Sequence, residues 1–419
     1  MADFRFVHAA DIHLDSPLHG LSRYDGVPAD EIRGATRTAF DNLIGFAIDE
    51  AVDFVLIAGD AFDGDWRDMG TGLYFARAMG RLNAAGIPVY LLAGNHDAAS
   101  VLTRSLPWPD NVHRFGTRQA ETHRIDALGV AIHGHSFANA AVTDNIAIGY
   151  PAAVAHHFNI GMLHTSLTGH ADHERYAPCS VEDLRAKGYD YWALGHVHEY
   201  QRVCEDPPVV FPGNLRGRTI RETGAKGAVL VTVEDRAIVS IAPVELDVLR
   251  WARAEVACDG ATDLDTVQAA IRAALARAHA EGDGRPVIAR VVLHGETALA
   301  GTLADRATAL RDEARAHAAA ISSDLWIEKL SVRVAPPRAA ADPGEVGDAF
   351  LALLAEAPSS EELAEMLAAD LAPFLTATEA IGPADPDELR HAAGEGDWAR
   401  LLSSAAVALE ARLAGSGGA

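Results

Sequence analysis

Cysteine is almost absent from this chain, with Cys179, Cys204 and Cys258 the three in 419 residues. An odd, widely spaced set supports neither a disulfide framework nor a zinc ribbon, and all three read as buried small hydrophobes. Long hydrophobic runs are missing too. No apolar stretch reaches the roughly 18 to 20 residues needed to cross a bilayer, so no membrane contact is expected. The opening MADFRFVHAA has no basic leader, uninterrupted apolar core or small-residue cleavage site, and a cytoplasmic location is expected. Positive charge is scarce, at 35 Lys and Arg against 59 Asp and Glu, a formal net charge of −24. That deficit opposes nonspecific nucleic-acid binding, which rests on cations that neutralise phosphates. It is uneven, however: residues 341–419 hold 15 acidic and 3 basic residues, half of the whole imbalance.

What is present is enough apolar material for a full core, 49% of residues, in a chain long enough for two or three domains. Up to about residue 248, short apolar runs end in Gly, Asp or His and give way to amphipathic helices: FRFVHAADIH, DFVLIAGD, PVYLLAGNHD, FNIGMLHTS and YDYWALGHVH. Between the first two, Phe40, Leu43, Ile44, Ala47, Ile48, Ala51 and Val52 follow helical spacing. This alternation predicts an α/β layered fold, with ligands gathered beyond the carboxyl ends of the strands. Residues 249–338 change to a strand, helix, strand, helix, strand pattern that predicts a small α+β domain, closed by APPRAAADPG. Residues 339–419 are Ala- and Leu-rich with helical period, broken by Pro and Gly. No internal repeat is apparent.

Five motifs stand at the ends of the apolar runs: Asp11-Ile12-His13, Gly59-Asp60, Gly94-Asn95-His96-Asp97, His164 and Gly195-His196-Val197-His198. Singly, each is as well explained by a turn or a helix cap. Together they supply carboxylate, imidazole and amide oxygen, the mixed set that suits Mn, Fe or Zn, whereas Mg and Ca prefer oxygen alone. A phosphoester needs its charge neutralised and a hydroxide near neutral pH, and two ions roughly 3.5–4 Å apart provide both.

In order and without a gap, these motifs resemble the D-x-H, G-D, G-N-H-D/E, H, G-H-x-H pattern of the calcineurin-like metallophosphoesterase family, over roughly residues 4–215. The resemblance implies a four-layer β-sandwich flanked by helices, a small α+β capping domain and a helical C-terminal tail. It implies two divalent ions, with Mn2+ foremost and Fe or Zn as alternatives. Asp11, His13 and His198 would hold one ion, Asn95, His164 and His196 the other, and Asp60 would bridge them. His96, oriented by Asp97, would stay unliganded and stabilise or protonate the leaving oxygen. His8, His133, His135, His156 and His157 match no ligand position and read as ordinary core or surface residues.

The family hosts phosphatases, nucleotidases, phosphodiesterases and nucleases, so the metal motifs do not choose a substrate. Three segments, HAADIHLDSPLHGL, YAPCSVEDLRAKGYDYWALGHVHEYQ and FPGNLRGRTIRETGAKG, are similar to SbcD-type DNA-repair nucleases. That likeness implies a domain order of nuclease (1–248), cap (249–338) and partner-docking helices (339–419), an SbcC-like coiled-coil ATPase as partner, and a dimer. Arg216, Arg218, Arg221 and Lys226 lie against a single acid, Glu222, and are read as gripping DNA phosphates; His170 and His173 are read as substrate contacts on a nearby loop. Two rival readings are a small-molecule phosphodiesterase or phosphatase, and a metal-bound adaptor of an ATPase. The capping domain and basic run oppose the first, and the intact His96 opposes the second.

Overall fold

The computed structural model describes residues 3–16, 29–63, 69–99, 108–167, 176–337, 352–378 and 389–416. His170 and His173 lie outside them. The described residues divide into two compact units, the first ending at Trp251 and the second starting at Ala252.

The strands of the first unit are β1 (Phe4–Ala9), β2 (Phe54–Ala58), β3 (Val89–Leu92), β4 (Val112–Arg114), β5 (Glu121–Ile125), β6 (Val130–Gly134), β7 (Phe158–His164), β8 (Tyr191–Gly195), β9 (Tyr200–Glu205), β10 (Pro208–Pro212), β11 (Gly227–Glu234) and β12 (Ala237–Glu245). One sheet runs β12-β11-β1-β2-β3-β4 and the other β5-β6-β7-β8-β10-β9. In the first, β1 to β4 are parallel and β11 returns antiparallel beside β1. In the second, β6, β7, β8 and β10 are parallel, with antiparallel edges at β5 and β9.

Three apolar layers follow from the alternation of side chains along these strands. Phe6, Phe54 and Tyr90 of one sheet meet Ile132, Phe158, Ile160 and Tyr191 of the other. Val7, Val55, Ile57 and Val89 point the opposite way, onto helices α1 (Ala29–Asp49) and α2 (Met69–Ala84). Leu163, Trp192, Leu194 and Phe211 do the same on the far side, against Ala147, Tyr150 and Leu184. The result is a mixed α/β sandwich with helices outside both sheets, and central strands buried on both faces read as continuous apolar runs for that reason. Helix α1 stops at Asp49, short of the apolar pattern: Ala51 turns left-handed at φ 47° and the Val52 N–H donates to Ala47 O at 3.1 Å. Val52 reaches the core through that turn rather than on the helix face.

The second unit takes in β13 (Arg250–Ala257) from Ala252 onward, which with β14 (Val287–Glu296) and β15 (Leu325–Ala335) forms a three-stranded sheet, with β14 and β15 parallel. Its helices are Leu264–Glu281, Ala300–Asp305 and Ala307–Ile321; the first is capped by Asp263, whose carboxylate accepts the Thr266 N–H at 2.8 Å. Residues further on form the helices Glu361–Thr378, Leu389–Gly394 and Trp398–Ser416. No helix among the described residues is long and apolar enough to cross a membrane.

Candidate metal centre

The five motifs converge where β1, β2, β3, β7 and β8 end. Backbone geometry marks the place first: Asp11, His13, Asp60 and His196 hold φ of 50°, 45°, 52° and 102°. Such angles are uncommon for residues with a Cβ, and conformational cost of this kind concentrates at functional sites. Two glycines make the close approach possible. Gly59 has φ 96°, and a Cβ there would stand 2.5 Å from His164 Nδ1; at Gly94 it would stand 2.3 Å from Asp60 Oδ1.

Three groups of donor atoms lie within 4.8 Å of one another: Asp11, His13 and His198; His13, Asp60 and His96; Asp11, Asp60 and His164. Asp60 has its Oδ2 3.3 Å from His164 Nε2 and 3.9 Å from His13 Nε2. Asn95 Oδ1 is 2.9 Å from the same His164 nitrogen. His196 is tied in by its backbone, whose N–H donates to Asp11 Oδ2 at 2.8 Å, and its ring centroid is 5.3 Å from that of His164.

The hydrogen bonds behind these rings bear on whether a cation fits. His164 donates through Nδ1 to Ala58 O at 3.0 Å, which turns its Nε2 lone pair toward two oxygens. His13 and His198 face each other through their Nε2 atoms at 3.3 Å, while their Nδ1 atoms face the carboxylates of Asp63 at 3.2 Å and Glu222 at 2.7 Å. With both Nδ1 atoms protonated, two lone pairs point at one another, and the buried Asp11 Oδ1 beside them has no hydrogen-bond partner. Inward lone pairs backed by outer carboxylates are how histidines are oriented onto a metal, so the residues fit divalent cations.

The electrostatics agree. Burial raises the Asp11 carboxyl above its ordinary range, against the pull of His198 and His164. Burial also presses His13 down to about 3, with the Arg218 charge adding to it. For His164 burial acts downward as well, but the Asp60 carboxylate outweighs it and lifts the imidazole to about 9. In the absence of a cation, a proton on His164 compensates Asp60.

His96 is differently placed. Its side chain is 39% exposed, unlike the fully buried His13 and His164, and its Nδ1 is 2.9 Å from Asp63 Oδ1. That bond raises the His96 pKa, outweighing partial burial. Asp97 does not orient His96, contrary to the reading from sequence. It sits in the short helix α3 (Asn95–Ala99), one position after His96, where adjacent side chains do not face each other. Its carboxylate instead accepts the N–H groups of Phe62 at 2.9 Å and of Ala61 and Gly94 at 3.2 Å, locking the loop of Asp60 and Asp63 to that of Asn95 and His96. Asp63 also accepts the Ser16 hydroxyl at 2.6 Å. Its one sequence signal was a second acid three residues after Asp60.

The basic run is corrected as well. Arg216 is 3% exposed and Lys226 is 8% exposed, so neither is free to grip a surface ligand. Burial lowers the Arg216 pKa to about 10, and the Lys226 ammonium donates to His198 O at 2.8 Å. Arg218, partly exposed, has its guanidinium 3.7 Å from Asp63 Oδ1; Arg221 is exposed. Two histidines outside the motifs, His8 and His133, are fully buried and hydrogen-bonded within the sheets. His8 lies buried between Tyr191 OH and Leu194 O, both at 3.0 Å, and His133 is buried between Thr122 and Asn159.

A pair of sheets carrying clustered Asp and His at their carboxyl ends defines a class, and comparison with known proteins names it. Residues 4–200 match the calcineurin-like phosphoesterase family, and residues 251–335 match the middle domain of metallophosphoesterase YhaO. The chain belongs to the calcineurin-like metallophosphoesterases, hydrolases that bind divalent metals. It is 36% identical over 299 residues to the uncharacterized metallophosphoesterase YhaO of Bacillus subtilis, covering 70% of this chain and 72% of that protein. It is 28% identical over 280 residues to the DNA double-strand break repair protein Mre11 of Methanopyrus kandleri, covering 59% of this chain and 58% of that one. A dimetal phosphatase from Danio rerio, 13% identical, covers 58% of this chain and 97% of its own length with a TM-score of 0.36.

Proposed function

We propose that this protein is a metal-dependent DNA nuclease acting in DNA repair, of the SbcD type, and that it works with an SbcC-like coiled-coil ATPase. The carrying observation is the His96–Asp63 pair, a half-exposed imidazole held by a carboxylate at the rim of a buried donor cluster. Asp11, His13 and His198 would hold one divalent ion, Asn95, His164 and His196 a second, with Asp60 shared. The ions, when bound, supply charge neutralisation at the phosphoryl oxygens and activation of a water near neutral pH. His96 gives its proton to the leaving sugar oxygen, and Asp63 keeps that proton available. Arg218, whose guanidinium is 3.7 Å from Asp63, and the exposed Arg221 supply positive charge and engage the DNA backbone.

The likeness to Mre11 supports the nucleic-acid substrate. Partner docking is assigned to the C-terminal helices, where Leu363, Met366 and Phe374 are exposed on Glu361–Thr378 at spacings that place them along one side, as helix-in-groove contacts require. A homodimer is proposed on the resemblance alone. A second reading, a small-molecule phosphodiesterase, is favoured by the burial of Arg216 and Lys226, which halves the cationic surface a polyanion could use. Mn2+-dependent cleavage of end-labelled DNA, abolished by His96→Ala, separates the two.

A further inference from the structure

His198 has two competing neighbours at the ring nitrogen that faces away from the donor cluster. Glu222 Oε1 stands 2.7 Å from Nδ1, and an amino nitrogen of Arg218 stands 3.4 Å from it. A carboxylate only accepts and a guanidinium only donates, so the two select opposite tautomers. Pairing with Glu222 puts the proton on Nδ1 and leaves the Nε2 lone pair facing Asp11 Oδ1 at 3.8 Å and His13 Nε2 at 3.3 Å. Pairing with Arg218 would put the proton on Nε2, in the middle of the donor cluster, where it excludes a cation.

We propose that Glu222 is a positioning residue that fixes the metal-binding tautomer of His198 against Arg218, and so sets the occupancy of the metal site built on Asp11, His13 and His198. The inference rests on the two-metal reading above. Distance favours Glu222, since 2.7 Å is a strong charge-assisted bond and 3.4 Å is at the outer limit of a hydrogen bond. The carboxylate is itself held in place: Glu222 Oε2 accepts the Asn214 amide at 3.0 Å and the Arg218 backbone N–H at 2.5 Å. Lys226 completes the cradle through the His198 carbonyl. The segment from Asn214 to Lys226 therefore holds one ligand from behind, and it places the competing cation there as well. Asp63 backs His13 in the same manner, but it also serves His96. Glu222 serves His198 alone among the described imidazoles to which it is hydrogen-bonded.

Calorimetric titration of the metal-free full chain with Mn2+ tests this on wild type, Glu222→Ala and Glu222→Ala/Arg218→Ala. The expected result is two ions per wild-type chain, a 10–100-fold weaker affinity at one site in Glu222→Ala, the range typical for loss of such a partner, and partial recovery in the double variant. Unchanged affinity in Glu222→Ala, or a double variant no tighter than the single, overturns the proposal. A wild-type chain that binds no ion removes the metal reading itself, and the tautomer proposal with it. A measurement on the wild type avoids any folding defect of the variants: nitrogen-15 shifts of the histidines in the Zn2+-loaded chain, with the His198 signal assigned by its loss in His198→Gln. A proton on Nδ1 supports the role of Glu222, and a proton on Nε2 overturns it.

Discussion

His96 Nδ1 lies 2.9 Å from Asp63 Oδ1, across a loop from the acid that neighbours His96 in sequence. The pair favours the protonated form of His96 beside a cluster of buried donors. Asp63 holds the imidazole pKa up, so the acid form of His96 persists further toward alkaline pH. Asp63→Asn removes that support, and the imidazole then loses its proton at lower pH. The high-pH limb of the rate profile for a generic phosphodiester is expected to move acidward, with kcat down by about 10–100-fold, at or below the lower end of the roughly 100–10,000-fold that a positioned acid contributes, because the acid itself remains. An alkaline limb that stays in place separates Asp63 from the catalytic proton.

Removing metal should be visible in stability. Asp11 and Asp60 are buried within one donor cluster, so cations bound there favour the folded chain by mass action, about 2.7 kcal/mol at one hundred times Kd. Excess Mn2+ is expected to raise the midpoint of thermal unfolding and a chelator to reverse the rise, with the response reduced in Asp60→Asn. Identical midpoints with and without Mn2+ would argue against binding.

Of the basic run, Arg218 and Arg221 are the residues expected to touch DNA. Replacing both with Ala should weaken binding and reduce the slope of log affinity against log salt by roughly 2, about one for each phosphate no longer neutralised. Arg216→Ala should act on folding stability instead, because that side chain is buried. Binding titrations at several salt concentrations check the pair, and an unchanged slope excludes them from the interface.

Much of this site is legible in the sequence because each donor follows a buried apolar strand: Phe54–Ala58 leads to Gly59-Asp60, and Tyr191–Gly195 leads to His196 and His198. Strand ends are where a layered α/β fold gathers polar groups. The alternation of runs and amphipathic helices likewise forecast the layers. What stayed hidden depended on backbone direction. The left-handed turn at Asp60 carries Asp63 back under His96, and no local pattern encodes that return. Proximity in sequence pointed to Asp97, whose side chain leaves the helix on another side. The pairing of β11 with β1, more than two hundred residues apart, had no local signal either. Charge spacing could not tell buried Arg216 from partly exposed Arg218, because burial there is decided by tertiary packing.

The second unit offers a separate test. Arg290 and Glu328 form a buried two-point ion pair between β14 and β15, at 2.7 Å and 2.5 Å. Arg290→Met strands a buried carboxylate and should cost about 3–5 kcal/mol, whereas the double change Arg290→Met/Glu328→Leu should cost much less. Denaturant unfolding monitored within this unit checks both, and equal losses would show that packing outweighs the charge pair.

A metal-dependent centre that cleaves DNA with His96 as its acid needs both the bound metal and the imidazole. The most direct measurement is Mn2+-dependent degradation of end-labelled double- and single-stranded DNA beside bis-p-nitrophenyl phosphate, with wild type and His96→Ala, each assayed for bound metal. Wild type is expected to degrade DNA, and His96→Ala to keep its metal and lose the activity. Cleavage of the generic ester without cleavage of DNA would contradict the nuclease reading, and loss of metal from His96→Ala would contradict the role given to His96.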